Sequence, residues 1–304
     1  MLFLVGCTVR NVNKMTMATR LSYALGSIKN VHKYFFSSLA TSQPESLNLV
    51  NFSNENGIYK VQLNSPRTRN ALSTEMLNEL QSIFKAVNEA KGARCVLLSS
   101  SGSKVFSAGH NLKELTNETP KTHHELVFST CTSLMKLLID CPIPIVAQVD
   151  GIAAAAGCQL VAMCDIVVAS TNATFSTPGI NLGLFCSTPG VAVARAIPMK
   201  LASYMLFTGL PLSAEEALKA GLVSRVVPAE NLELETQQVI ESICKKSLPV
   251  MRLGKQFLHR QLKMDIMEAY KEGENVMVGN LQLKDAQEGL KSFAEKREPK
   301  YQDH

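Results

Sequence analysis

Three short apolar runs, ARCVLLSSSG (93–102), PIPIVAQVDG (142–151) and DIVVAST (165–171), alternate with stretches of helical spacing. A strand that is apolar without alternation needs cover on both faces, which is the habit of parallel sheets. A helix between consecutive parallel strands enforces right-handed crossovers. This one feature limits the chain to an α/β fold. The intervening helices are expected over TEMLNELQSIFKAVNEA (74–90), 123–140 and, much shorter, 155–163. Ser73 or Thr74 is the natural N-cap of the first.

The ends of the chain read differently. SLNLVNFSNENGIYKVQLNSP (46–66) offers two strands around a turn at 54–57. From Ser213 the pattern becomes helical: SAEEALKAGL opens with a capping box, Ser213 with Glu216, and a short strand VSRVVP follows. Further helices are expected over 230–246, from Pro249 onward, and over DAQEGLKSFAEKREP. Apolar residues lie on more than one face of this last part (Phe257, Leu258, Leu262, Ile266, Met267, Tyr270), which suits either an intrachain core or a second subunit.

Charge excludes one function class. Residues 1–44 hold Arg10, Lys14, Arg20, Lys29 and Lys33 and no acidic residue; those five account for the whole net charge of +5. The remainder is neutral, so it carries no nucleic-acid footprint. A basic, acid-free, Ser/Thr-rich leader has the composition of a mitochondrial import presequence; a secretory signal or an unstructured tail are the alternatives. Eight cysteines without a CxxC pair, several inside apolar runs, fit a reducing compartment rather than a disulfide framework. No apolar run reaches the length of a membrane span, and no metal site is expected.

Two strand-to-helix junctions are stripped of side chains. In VFSAGHNLKEL a strand runs into Ser107, Ala108 and Gly109, with a helix expected from about Asn111; in VDGIAAAAGCQL a strand ends at Val149 and a helix starts near Ala156. Small residues let a ligand approach the backbone, and helix starts present unpaired N–H groups. Two such junctions together would make an oxyanion hole. Close packing of helix on strand accounts for the same residues equally well.

These two segments, with FSTPGINLGL, LFTGLPLSAEEALKAGLVSRVVP and EGLKSFAEKREP, resemble the crotonase (enoyl-CoA hydratase/isomerase) family over 46–301. The resemblance implies a spiral of ββα units over 45–250 that binds acyl-CoA. It also implies a C-terminal helical region, 251–304, that assembles homotrimers or hexamers. It places the two oxyanion amides on His110 and Ala156, where most relatives have glycine at the second position. Coenzyme A, as part of the ligand, would be lined by Arg67, Arg69, Ala71, Ala108, Asn111, Leu112, Lys113 and Gly157, with Phe293 and Lys296 near the adenine and phosphates. No other cofactor is implied.

The family's two hydratase glutamates correspond to Gln159 and Gly179. An amide cannot exchange a proton near neutral pH, and glycine offers no group at all, so hydratase turnover is expected to be weak or absent in a mitochondrial-matrix acyl-CoA binder. AGHNLKEL also resembles the matching segment of bacterial methylmalonyl-CoA decarboxylase, which has a tyrosine near the position of Cys186. Decarboxylation of a malonyl-type thioester, needing little beyond the hole, is therefore the alternative, and residual hydratase activity a third. Asp150 reads as turn chemistry, Asp165 as a structural carboxylate, and Cys186 with His110 as a conceivable nucleophile pair.

Overall fold

The computed structural model describes residues 48–102 and 104–303; the expected import segment lies outside the described residues. The chain enters through a hairpin, β1 (Val50–Glu55) and β2 (Ile58–Leu63), paired antiparallel. Its two-residue turn, Asn56 and Gly57, has φ of 53° and 85°. That is the left-handed pair that matches strand twist and favours Asn-Gly. Asn54 Oδ1 accepts the Gly57 N–H at 3.0 Å.

The spiral then starts. β3 (Cys95–Ser100), β5 (Ile145–Val149) and β7 (Ile166–Ser170) join β2 in parallel, and β10 (Arg225–Val227) completes a six-stranded sheet. Each of β3, β5 and β7 passes through a short turn into a three-residue strand of a second sheet: β4 (Val105–Ser107), β6 (Ile152–Ala154) and β8 (Thr174–Ser176). These are parallel to one another, and β9 (Leu212–Ser213) closes that sheet antiparallel to β8. The stretch 152–154, for which no strand is expected from the sequence, is thus a strand. Its Ile-Ala-Ala composition carries little strand signal; pairing with β4 and β8 decides it.

Register explains the core. Val61, Leu98, Ala147 and Val167 stand opposite one another across four strands and are buried. They face helices α1 (Thr74–Glu89) and α2 (Lys121–Ile139). On the other face Cys95, Val146 and Val168 meet Leu232 and Ile240 of α7 (Leu232–Cys244), past α3 (Ala156–Ala162), α4 (Ser187–Ala196), α5 (Met199–Thr208) and α6 (Ala214–Ala220). Both faces are covered, as the apolar runs require. Ser73 caps α1 by accepting the Met76 N–H at 3.2 Å, and the Ser213–Glu216 capping box forms on α6.

Three helices finish the chain: α8 (Leu248–Gln261), α9 (Ile266–Leu281) and α10 (Lys284–Ala294). The boundary expected at 250 falls inside α8. A buried ion pair ties α8 to the sheet: Lys255 Nζ donates to Asp165 Oδ2 at 2.6 Å and to the Ile143 carbonyl at 2.8 Å. The same carboxylate accepts the Ile145 N–H at 2.7 Å, and His259 Nε2 lies 3.3 Å from its other oxygen. Burial alone would raise this carboxyl, but the His259, Lys255 and Ile145 interactions outweigh it and hold Asp165 below its ordinary value. Asp165 is structural, as its place at the head of an apolar strand suggested.

Removing one partner of a buried pair leaves a charge uncompensated. Lys255→Met is therefore expected to cost about 3–5 kcal/mol, read as a drop in the denaturant midpoint with unchanged slope. The depressed Asp165 value adds stability that is fully present above the ordinary aspartate pKa of about 4 and lost as pH falls through the lower folded value. Lys255→Met should flatten acid unfolding in that window.

Candidate functional site

The first junction is held by a residue that composition and motif did not mark. Asn70 is fully buried at φ 51°. Its carboxamide accepts the Ser65 N–H at 2.8 Å and donates to the Ser101 and Val105 carbonyls at 3.2 and 3.1 Å. Ser107 Oγ donates to the Asn70 carbonyl at 2.8 Å. Backbone bonds from Ala108 N to Arg69 O (3.0 Å) and Leu72 N to Gly109 O (2.8 Å) continue the zipper. Arg67, Arg69 and Ala71 are thereby brought beside Ala108, His110, Asn111, Leu112 and Lys113. Arg67, Arg69 and Lys113 are exposed, free to meet an anionic handle. Phe293 and Lys296 belong to another part of the fold: α10 and its left-handed exit, packed on α8 and α9.

The helix expected from Asn111 is a single 3-10 turn, Leu112–Leu115, capped by Asn111. Within this turn the Glu114 carboxylate accepts Thr74 N–H and Oγ–H at 3.0 and 2.5 Å and the Asn111 amide at 2.8 Å. Partial burial would raise the Glu114 carboxyl; these bonds and His123 nearby prevail and hold it below its ordinary value.

At the second junction β6 is followed by Ala155, whose φ of 49° and ψ of −118° are unusual for a residue with Cβ. Strain of this kind costs on the order of 1–3 kcal/mol and clusters at functional sites. Its N–H is held by the Ser176 carbonyl at 2.9 Å. The turn aims the first residue of α3, Ala156, at the other junction: a Cβ built on Gly109 would stand 3.1 Å from Ala156 N and 2.9 Å from Ala154 O. Gly109, at φ 88°, accordingly has no room for a side chain. The Gly109–His110 peptide and the start of α3 are neighbours, and Ala156 N–H lies before the helical ladder begins. Gly157 serves this approach too, since a Cβ there would meet Ser107 O at 2.5 Å.

Besides the engaged Glu114, the junction holds the neutral side chains His110, Gln159, Thr177 and Cys186. His110 Nδ1 lies 3.3 Å from the Leu72 carbonyl, which can only accept, so the proton is on Nδ1. Burial pushes the imidazole below its ordinary range despite that bond and the Glu114 charge. Its ring meets Phe128 edge-on at 5.3 Å, and Nε2 is buried without a hydrogen-bond partner among the described residues. Gln159 is buried with Oε1 likewise unpartnered among the described residues, and so is Oγ1 of Thr177, which follows the Ser176 that holds Ala155. Thr177 was missed in sequence; nothing in the local pattern separates it from an ordinary turn threonine.

The loop at Gly179 is closed to a side chain. A Cβ on Gly179 would lie 2.6 Å from Leu184 O and 2.7 Å from Cys186 Sγ. Gly179 N–H donates to that sulfur at 3.3 Å, and its carbonyl accepts Leu184 N–H at 3.0 Å. Burial pushes the Cys186 thiol up, outweighing the Gly179 bond. A neutral thiol engaged with Gly179, and a His110 engaged with Leu72, do not make a nucleophile pair. Asp150 is turn chemistry: Ser170 Oγ donates to it at 2.5 Å across the tips of β5 and β7.

Comparison with known proteins adds ancestry. A family model described as enoyl-CoA hydratase/isomerase matches residues 53–304. The chain is 53% identical over 245 residues to "Enoyl-CoA hydratase domain-containing protein 3, mitochondrial" of Xenopus laevis, covering 81% of this chain and 83% of the relative. The crystal structure of human enoyl coenzyme A hydratase domain-containing protein 3 superposes with a TM-score of 0.81 at 47% identity, covering 83% of this chain and all of that one. An enoyl-CoA hydratase structure from Mycobacterium smegmatis gives 0.81 at 42% identity over 83% and 98%.

The closed loop has a direct consequence. Gly179→Glu, alone or with Gln159→Glu, is expected to destabilise the fold by about 1–3 kcal/mol through overpacking and to leave crotonyl-CoA hydration near background. Adding Cys186→Gly should recover part of that stability. Thermal unfolding of the four proteins and the absorbance of crotonyl-CoA measure both.

Proposed function

Because the chain belongs to the enoyl-CoA hydratase/isomerase, or crotonase, family, we propose that it binds acyl-CoA thioesters through the His110 and Ala156 amides and turns over enoyl-CoA weakly or not at all. The carrying observation is the contrast within one site. The backbone approach of Gly109 to Ala156 is kept, while Gln159 is a buried amide and the loop at Gly179 is shut by Leu184 and Cys186.

The chemistry follows from that contrast. Two N–H donors converging on a thioester oxygen stabilise the negative charge of an enolate, and in a site shielded from water this is a large effect. Hydration also needs a group that takes a proton from water and one that delivers a proton to carbon. Each is worth about 10²–10⁴ in rate. Gln159 neither gains nor gives up a proton as an acid or base near neutral pH, and Gly179 has no side chain. The ligand's phosphates and adenine would meet Arg67, Arg69 and Lys113, with Phe293 and Lys296. Exposed apolar side chains beside His110, Leu112, Leu126 and Phe128, suit the pantetheine or acyl chain.

Assembly and location belong to the same reading. Ile266, Met267, Tyr270, Met277 and Val278 leave an apolar face of α9 exposed, and a homotrimer or hexamer would cover it. Relatives bear mitochondrial names, and the basic leader supports import into the matrix. No helix among the described residues is long and apolar enough to cross a membrane. A second reading, decarboxylation of a malonyl-type thioester, is favoured by the uncharged surroundings of the hole, because loss of CO₂ yields the enolate without a carboxylate base.

The test uses purified protein lacking residues 1–44, incubated with enoyl-, malonyl- and methylmalonyl-CoA esters and followed by mass spectrometry and calorimetry. Binding with no product is the expected result. CO₂ release would establish the second reading, and rapid hydration would overturn the argument from Gln159 and Gly179. Ala156→Pro, which deletes one donor, should weaken binding or turnover at least tenfold, in line with about 10²–10³ for an oxyanion donor.

A further inference from the structure

We infer that the cleft between the six-stranded sheet and α7 is a second binding site, for a small uncharged polyhydroxylated molecule, a sugar or a polyol. It lies on the sheet face opposite α1 and α2 and shares no residue with the His110–Ala156 junction. Its volume is about 300 Å³, at the lower end of the range for small-molecule sites.

The floor of the cleft breaks the rule that the rest of the sheet obeys. A parallel sheet covered on both faces is lined by apolar side chains, and Cys95, Val146 and Val168 follow this beneath α7. One row differs. Asn51 of β1 stands opposite Gln62 of β2, and Gln62 opposite Ser99 of β3. Gln148 of β5 follows, one residue past the Leu98–Ala147 pair. Four adjacent strands thus carry an amide or a hydroxyl in one line, and all four side chains line the cleft. Asn51 Nδ2 donates to Gln62 Oε1 at 3.0 Å, and Asn51 Oδ1 accepts Asn64 Nδ2 at 3.2 Å. These bonds orient Asn51 and Gln62. The Gln62 NH₂, the Ser99 hydroxyl and the whole Gln148 carboxamide make no hydrogen bond among the described residues. Departures from the local rule of this kind are expected at functional sites.

The roof is one stripe of α7, with Glu233, Thr236, Gln237 and Ile240 at three- and four-residue spacing. Thr236 spends its hydroxyl on the Leu232 carbonyl at 2.7 Å, and Gln237 Nε2 donates to Glu241 at 3.2 Å. The open hydrogen-bonding groups are therefore those of the floor. Charge narrows the ligand. Lys60, at the open side, is paired with Glu55 at 2.7 Å, while Glu233 makes no ion pair among the described residues. An anion would meet Glu233 and find no free cation, and a cation would gain only an exposed carboxylate, which is worth little. A hydroxyl both donates and accepts, as do the carboxamides and the serine that face it. Leu97 and Ile240 supply an apolar wall for the C–H face of the ligand.

The experiment is ligand-observed NMR on the full chain, with glucose, sorbitol, cationic glucosamine and anionic gluconate as probes. Unfolding temperature is not the readout, because sugars at high concentration stabilise any folded protein by exclusion from its surface. Glucose or sorbitol should bind saturably and should not be displaced by butyryl-CoA. Gln148→Leu and Ser99→Val should each weaken that binding about tenfold, the worth of one or two hydrogen bonds. Gln238→Leu, outside the cleft on exposed α7 surface, should leave it unchanged. Binding of glucose assigns a closed ring and binding of sorbitol an open chain, and either supports the site. No saturable binding of either, displacement by butyryl-CoA, affinity unmoved by both cleft variants, or tightest binding of glucosamine or gluconate would overturn it.

Discussion

Helix α3 rests on strand β4 at a separation that admits no Cβ: Gly157 faces Ser107, and Gly109 faces Ala154 and Ala156. This approach joins two successive turns of the spiral, since β4 belongs to one and β6 with α3 to the next. If it were relaxed by an ångström, the second sheet would lose its register and the two junction peptides would no longer be neighbours. The strain in Ala155 fits the same constraint. The chain must leave β6 and start α3 within one residue, and a left-handed φ is the conformation that makes so abrupt a turn.

Around this contact the structure spends its polar groups on positioning. Asn70, Ser107 and Glu114 are fully engaged in holding the loops 66–74 and 107–114 together. Ionised Glu114 stands nearest to His110 and is already satisfied by Thr74 and Asn111, so it has no spare lone pair directed to chemistry. What remains at the junction is neutral: an imidazole with one bonded nitrogen, an amide, a hydroxyl and a thiol. Such a set can orient a ligand through hydrogen bonds and can stabilise charge through backbone dipoles. It is poorly suited to moving protons at neutral pH.

The C-terminal helices are secured to the spiral by charge rather than by a broad apolar seam. Lys255 reaches the heads of β5 and β7 through Ile143 and Asp165. Arg94 caps the end of α7 through the Cys244 and Lys246 carbonyls and also holds Asp303, which accepts the Leu248 N–H. Arg252 closes the end of α1 in the same way, on the Ala90 and Lys91 carbonyls. These latches leave the apolar face of α9 uncommitted within one chain.

The sequence by itself determined the strands of the six-stranded sheet and the helices on either side, because apolar runs and 3.6-residue spacing are local consequences of two-sided burial. It also determined the caps at Ser73 and Ser213 and the Asn-Gly hairpin, all readable residue by residue. Tertiary structure alone decided β6, β8 and β9 of the second sheet, since two or three residues become a strand only when neighbours pair with them. It decided, too, that Glu114 of the 3-10 turn after Asn111 reaches Thr74, and that Gly157 packs on Ser107. Finally, it decided that Gly179 is a closed position and that Thr177 is an unpartnered one. Those facts are distances between residues remote in the chain, and no local pattern encodes a distance.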